Sequence, residues 1–174
     1  MLVSATSLFW ISNNSMLATP RQARSWKLLS GIFLYLSVDE LMSIHEIFIE
    51  PVRGALNVSG VFYYAWIIPA IALVSLFFLR FFRFWLSLLT PVRLLFGLAA
   101  ALFLGGSIGM EMVGGYYVSI AQPDWIYRLI HHGEEFLEMA GISVFLSALV
   151  QLVCIKTGQS SIQPAIAFGI KGAD

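Results

Sequence analysis

From Gly54 to Leu79 the chain carries no charged side chain. That run is longer than the roughly 20 residues an α-helix needs to cross about 30 Å of hydrocarbon, and it constrains everything around it. The composition agrees. Of 174 residues, 59% are hydrophobic and 11% charged, and the mean hydropathy is +0.83, whereas soluble domains carry about one-quarter charged residues. These values argue against a soluble globular domain. Formal net charge is zero, which leaves no basic face for nucleic acid. The single Cys154 excludes an internal disulfide framework and a cysteine-rich zinc motif.

Hydropathy along the chain predicts membrane helices over about 26–48, 60–79, 92–113 and 125–155. The expected architecture is all-α, an integral membrane four-helix bundle with short loops, and Pro69 is expected to kink its second helix. Residues 1–25 form a separate N-terminal segment. Within it Leu2 to Ile11 is too short to span, and reads either as an interfacial helix or as the tail of a helix that begins before Met1. Arg80 to Arg93 reads as a short basic and aromatic turn in the headgroup layer, and 156–174 as a flexible tail.

Charge sorts along this plan. Of ten Lys and Arg, eight (Arg21, Arg24, Lys27, Arg80, Arg83, Arg93, Lys156 and Lys171) fall on one side of the predicted spans, and nine of the ten acids fall on the other. By the positive-inside rule the basic side is cytoplasmic, so both termini face inward.

The interruption of this apolar pattern is the segment Asp39-Glu40-Leu41-Met42-Ser43-Ile44-His45-Glu46, which puts three carboxylates and an imidazole into a predicted span. Each ionisable group costs roughly 2.5–3.5 kcal/mol at membrane depth even on lenient insertion scales. Counted from the basic anchors, Glu46 lies 19 residues after Lys27, Glu111 lies 18 after Arg93, and Glu138 lies 18 before Lys156. At about 1.5 Å per residue the three reach one level, near the extracytoplasmic boundary. On uninterrupted helices Asp39, Ser43 and Glu46 share one face of the first span, and His131, Glu134, Glu135 and Glu138 share one arc of the fourth. Arg53 and Arg128 can neutralise at most two of these acids at the rim, so protons or bound cations must neutralise others.

Three chemistries fit that cluster. The first is a divalent cation, with Asp39, His45, Glu46, Glu111, His131, Glu134 and Glu138 as ligands. Carboxylate and imidazole donors suit Zn, Mn, Fe, Mg or Ca. If the protein is an enzyme, the metal activates water against a lipid-derived substrate, with Glu40 or Glu135 as general base. The second is a small proton- or cation-coupled transporter or channel subunit. The third is a structural or assembly subunit of a membrane complex. A ferritin-like di-iron site is disfavoured, because the chain has His131-x-x-Glu134 and lacks the Glu-x-x-His order such bundles use. Gly97, Ala101, Gly105 and Gly109 recur every four residues, a stripe that suits close helix approach and a homo-oligomer.

The motifs Asp39-Glu40-x-x-Ser43-x-His45-Glu46, Gly109-x-Glu111-x-x-Gly114 and Glu134-Glu135-x-x-Glu138-Met139-x-Gly141 together resemble those of a group of uncharacterised bacterial multi-pass membrane proteins, some labelled transporter-like. The resemblance covers most of residues 30–150. It implies a bacterial inner-membrane location and a single site built from these residues.

Overall fold

The computed structural model describes residues 1–158, and the tail predicted for 156–174 lies outside the described residues from 159 onward. The described chain is helical with no strand: α1 (Leu2–Asn13), α2 (Pro20–Met42), α3 (Ile49–Leu56), α4 (Ile67–Leu86), α5 (Thr90–Leu104), α6 (Glu111–Ile120) and α7 (Trp125–Thr157). A π-helical turn, Gly105–Met110, joins α5 to α6 in one rod. Three helices are long and apolar enough to cross a membrane: Ile67–Leu86, the rod Thr90–Ile120 and Trp125–Thr157.

The expected four-helix bundle with short loops is corrected at several points. The first predicted span begins early, at Pro20, because Thr19-Pro20-Arg21-Gln22 forms a capping box. The Thr19 hydroxyl accepts from the Gln22 amide, the Gln22 carbonyl accepts from the Thr19 amide, and proline takes the first helical position, where no amide is needed. It also ends early, at Met42. Ser43 turns left-handed (φ 49°, ψ 42°), a 3-10 turn spans Ile44–Phe48, and α3 occupies what read as a loop.

The N-terminal segment is not an isolated interfacial helix. In α1, Leu8 and Ile11 are fully buried, and the Ser30 hydroxyl of α2 donates to the Ala5 carbonyl at 2.7 Å. Arg80 to Trp85 is no separate turn but the last part of α4. Pro69 stands in the first turn of α4, where its missing N–H breaks no intrahelical bond, so the kink predicted there has no cause.

The hydrophobic core sits at the basic end. Trp26 packs edge-on to Phe84 (ring centroids 4.8 Å apart) and to Phe96 (6.0 Å), and Phe33 stacks on Phe145 (4.6 Å). Leu17, Leu88, Val92, Leu149 and Leu152 fill the spaces between. Toward the opposite end the α5–α6 rod and α7 stay in close contact through glycines. A Cβ on Gly141 would come within 2.8 Å of the Phe103 amide nitrogen and 3.0 Å of the Ala99 carbonyl; one on Gly106 would come within 2.9 Å of the Glu134 carbonyl. The predicted small-residue stripe is a different surface, since nothing lies within 4 Å of such a Cβ at Gly105 or Gly109.

Gly106→Ala and Gly141→Ala each push a methyl against backbone atoms that cannot rotate away. Each is expected to lower stability by about 1–3 kcal/mol, the usual range for overpacking, in thermal unfolding of the purified protein in detergent. Gly105→Ala meets open space and is expected to unfold at or above the wild-type temperature.

Candidate functional site

The first wall of the site is made by the break in α2. Asp39 accepts two bonds from His45: the backbone N–H at 2.9 Å on Oδ1 and the ring Nδ1–H at 2.8 Å on Oδ2. In a continuing helix that backbone amide would bond the carbonyl four residues back. The aspartate side chain takes its place and ends the helix. The strain of a left-handed serine, about 1–2 kcal/mol, is offset by two bonds to one carboxylate. Asp39, Ser43 and Glu46 therefore do not share one helical face as the sequence suggested. Asp39 and His45 form a half-buried pair, while Glu40 and Glu46 are exposed.

The second wall is Glu111, the first residue after the π turn. Its Oε1 accepts the Trp66 indole N–H at 2.8 Å, and the Trp66 ring lies against the His45 ring (centroids 4.6 Å apart, planes inclined at 48°). Trp66 thus touches both the α2 break and the half-buried Glu111. Nothing in the local sequence pattern marks this contact, made across 45 residues. The Tyr64 and Tyr127 hydroxyls share a bond of 2.8 Å.

The third wall is the outer half of α7, started by Asp124, whose side chain accepts from the Ile126 and Tyr127 amides. Glu134 and Glu138 are half-buried; Glu135, His131 and His132 are exposed. His132 Nδ1 stands 3.2 Å from Glu135 Oε2, whereas the nearest His131–carboxylate distances, 3.6 Å to Glu134 and 3.7 Å to Glu135, are too long for hydrogen bonds.

These walls face one another. Glu111 has Glu134, Glu138 and Glu46 as its carboxylate neighbours, and Glu138 has Glu40, Glu134 and Glu135. Acids far apart in the chain are thus brought within electrostatic reach. They are not brought into a coordination sphere: among the described residues no three His, Cys, Asp or Glu side chains are placed to hold one metal ion. The predicted ligand set of Asp39, His45, Glu46, Glu111, His131, Glu134 and Glu138 stands as an Asp39–His45 pair, a Glu111–Trp66 pair, an exposed Glu46 and a row on α7. Helix placement brings acids to one level, but donors a few ångströms apart need side chains aimed at one point. Neither expected general base, Glu40 or Glu135, touches a polarised partner beyond His132.

No arginine neutralises the cluster. The Arg53 guanidinium pairs with Glu50 and lies 4.5 Å over the Tyr63 ring, and no ion pair of Arg128 is found among the described residues. The Ser107 hydroxyl donates to its own helix, at the Phe103 carbonyl.

The Trp66–Glu111 bond is measurable by a double-mutant cycle of Trp66→Phe and Glu111→Met. A coupling of about 1–3 kcal/mol, the range for a bond to a carboxylate or its neutral form, is expected from thermal or denaturant unfolding. A coupling near zero would mean the bond does not form.

No curated protein and no solved structure matches the chain. Residues 1–152 match the family model described as Domain of unknown function (DUF8692), and with most of its length covered the chain belongs to that family.

Proposed function

We propose that this chain is an integral membrane protein whose acid–imidazole cluster takes up and releases cations, protons foremost, on the extracytoplasmic side, as a small transporter or channel subunit. The observation that carries the reading is Glu111. It is half-buried, lies within electrostatic reach of three other carboxylates, and among the described residues has no lysine or arginine paired with it. Neighbouring acids in a low-dielectric setting do not all stay ionised, so protons or cations must bind among them.

Two further features support the reading. The backbone departs from α-geometry twice near these carboxylates, at the Ser43 break and at the Gly105–Met110 π turn. Such interruptions recur where membrane proteins handle ions and at functional π-bulges. With α2 crossing beside the three apolar helices, four crossings with basic residues gathered at one end and acids at the other fit both termini facing the cytoplasm.

The chain's own residues divide the work. With Glu111 Oε1 held by the Trp66 N–H, the Oε2 atom is the one free to carry a proton. Glu134 and Glu138 offer the next acceptors on α7, and exposed Glu40 and Glu46 connect the cluster to solvent. The Asp39–His45 pair holds the mouth of the site in its unwound shape. A divalent ion is the other cation that this donor chemistry accepts, and it would need the side chains drawn closer than they stand.

Glu111→Gln keeps an acceptor for Trp66 and removes the titrating group. In proteoliposomes carrying a pH-sensitive dye, wild type is expected to dissipate an imposed proton gradient, and Glu111→Gln to do so at least about tenfold more slowly, as for loss of a required proton-transfer group, with unchanged unfolding temperature. Wild-type vesicles no leakier than empty ones would sink the proposal. Elemental analysis of wild type, Glu46→Gln and Glu111→Gln decides the divalent alternative, since stoichiometric metal in wild type alone would replace the proton with a metal ion.

A further inference from the structure

At the end of the molecule opposite the acids, a cavity of about 50 Å³ lies between α2, the end of α4, the start of α5 and the end of α7. That volume takes a few waters, each needing roughly 10–15 Å³, or one tetrahedral oxyanion. Its polar lining is Gln22, Trp26, Ser87 and Lys156, among leucines.

The Trp26 indole N–H is the informative group. Trp26 is 1% exposed, and its Nε1 is buried with no hydrogen-bond partner among the described residues. An orphaned buried donor costs about 1–3 kcal/mol, and indole donates only, so what satisfies it must be an acceptor. Two of the other groups around the cavity, Lys156 and Gln22, also have hydrogens to donate. Lys156 brings an ammonium. The Gln22 amide spends one hydrogen on the Ser87 hydroxyl at 3.2 Å and keeps a second, while the Ser87 hydroxyl donates to the Phe84 carbonyl. Leu89 lines the cavity and immediately precedes α5, whose first amides have no side-chain cap, so a positive helix end adjoins the space beside the C-terminal ends of α4 and α7, where Lys156 supplies the positive charge.

Among the described residues no carboxylate lines the cavity, and residues 80–96 and 145–158 contain no acid at all. Arg21, Arg24, Lys27, Arg83 and Arg93 come from the same ends of α2, α4 and α5.

We infer that this cavity is a phosphate site, built to take the oxyanion of a phosphate group. Two sources share that chemistry: the headgroup of an anionic phospholipid and free inorganic phosphate. Basic pockets between helices at the cytoplasmic surface are where anionic headgroups bind. The lipid source rests on the membrane reading; the oxyanion site does not.

The full chain is tested in detergent by thermal unfolding against inorganic phosphate, with chloride at equal ionic strength as control. It is tested separately in nanodiscs of phosphatidylglycerol or phosphatidylcholine, with retained lipid counted by native mass spectrometry. Trp26→Phe removes the indole N–H and keeps a ring, and Lys156→Gln removes the ammonium. Stabilisation by phosphate above chloride, or retention of phosphatidylglycerol over phosphatidylcholine, weakened about tenfold by either variant, supports the site and names its source. Should Trp26→Phe not fold, the exposed Lys156→Gln carries the comparison. No preference for phosphate or for phosphatidylglycerol, or a preference that both folded variants keep, overturns the inference and leaves Trp26 to a buried water, for which the orphaned Gln151 carbonyl on α7 is the natural second partner.

Discussion

Close approach between the α5–α6 rod and α7 is the contact on which the acid cluster depends. Gly106 lies against the backbone of Glu134 and Glu138, and Gly141 lies against Phe103 and Ala99. With no side chain at either position the two helices run nearly surface to surface. That separation brings Glu111 opposite Glu134 and Glu138, where larger residues would hold the helices apart and leave each acid to find its own solvation. The cluster is therefore a consequence of backbone packing before it is a matter of ionisable side chains.

The molecule has two ends of different character. At the basic end, aromatic rings from four helices interlock around Trp26, Phe84, Phe96 and Phe145. At the acidic end, contacts are polar and made one at a time: Asp39 to His45, Trp66 to Glu111, Tyr64 to Tyr127. Close packing makes the first end resistant to change, and isolated hydrogen bonds are easily exchanged. Such a division suits a protein anchored at one end and reactive at the other. The sparse cover of α4 belongs to the same picture, since Leu73, Leu76 and Leu79 on its middle turns face outward, as expected of side chains that meet lipid.

Much of the helical plan was legible in the sequence because it rests on length and hydropathy. The uncharged run before Arg80, the apolar rod after Pro91 and the long helix after Asp124 all fold near their expected positions. Counting residues along helices put Glu46, Glu111 and Glu138 at one level, and Glu111 does lie within electrostatic reach of Glu46 and Glu138. What counting missed was decided by single side chains. Asp39 captures the amide of His45 and ends α2 before Ser43, so the face computed for an unbroken helix did not exist. Trp66 reaches Glu111 from a distant part of the chain, and local patterning carries no trace of that. The stripe at Gly97, Ala101, Gly105 and Gly109 has the right periodicity for a tight contact, yet the face of Ala99, Phe103 and Gly106, at i, i+4 and i+7, makes it.

That turn has a geometric consequence. One additional residue wound into a helix rotates everything beyond it by about 100° relative to an unbroken spiral. From Glu111 onward the rod is out of phase with its own beginning, so the seam that Val92 and Ala99 open against the interior is continued by residues other than those their spacing foretells. A protein carrying an acid inside a greasy rod needs some way to aim it, and here a slip in the winding does so.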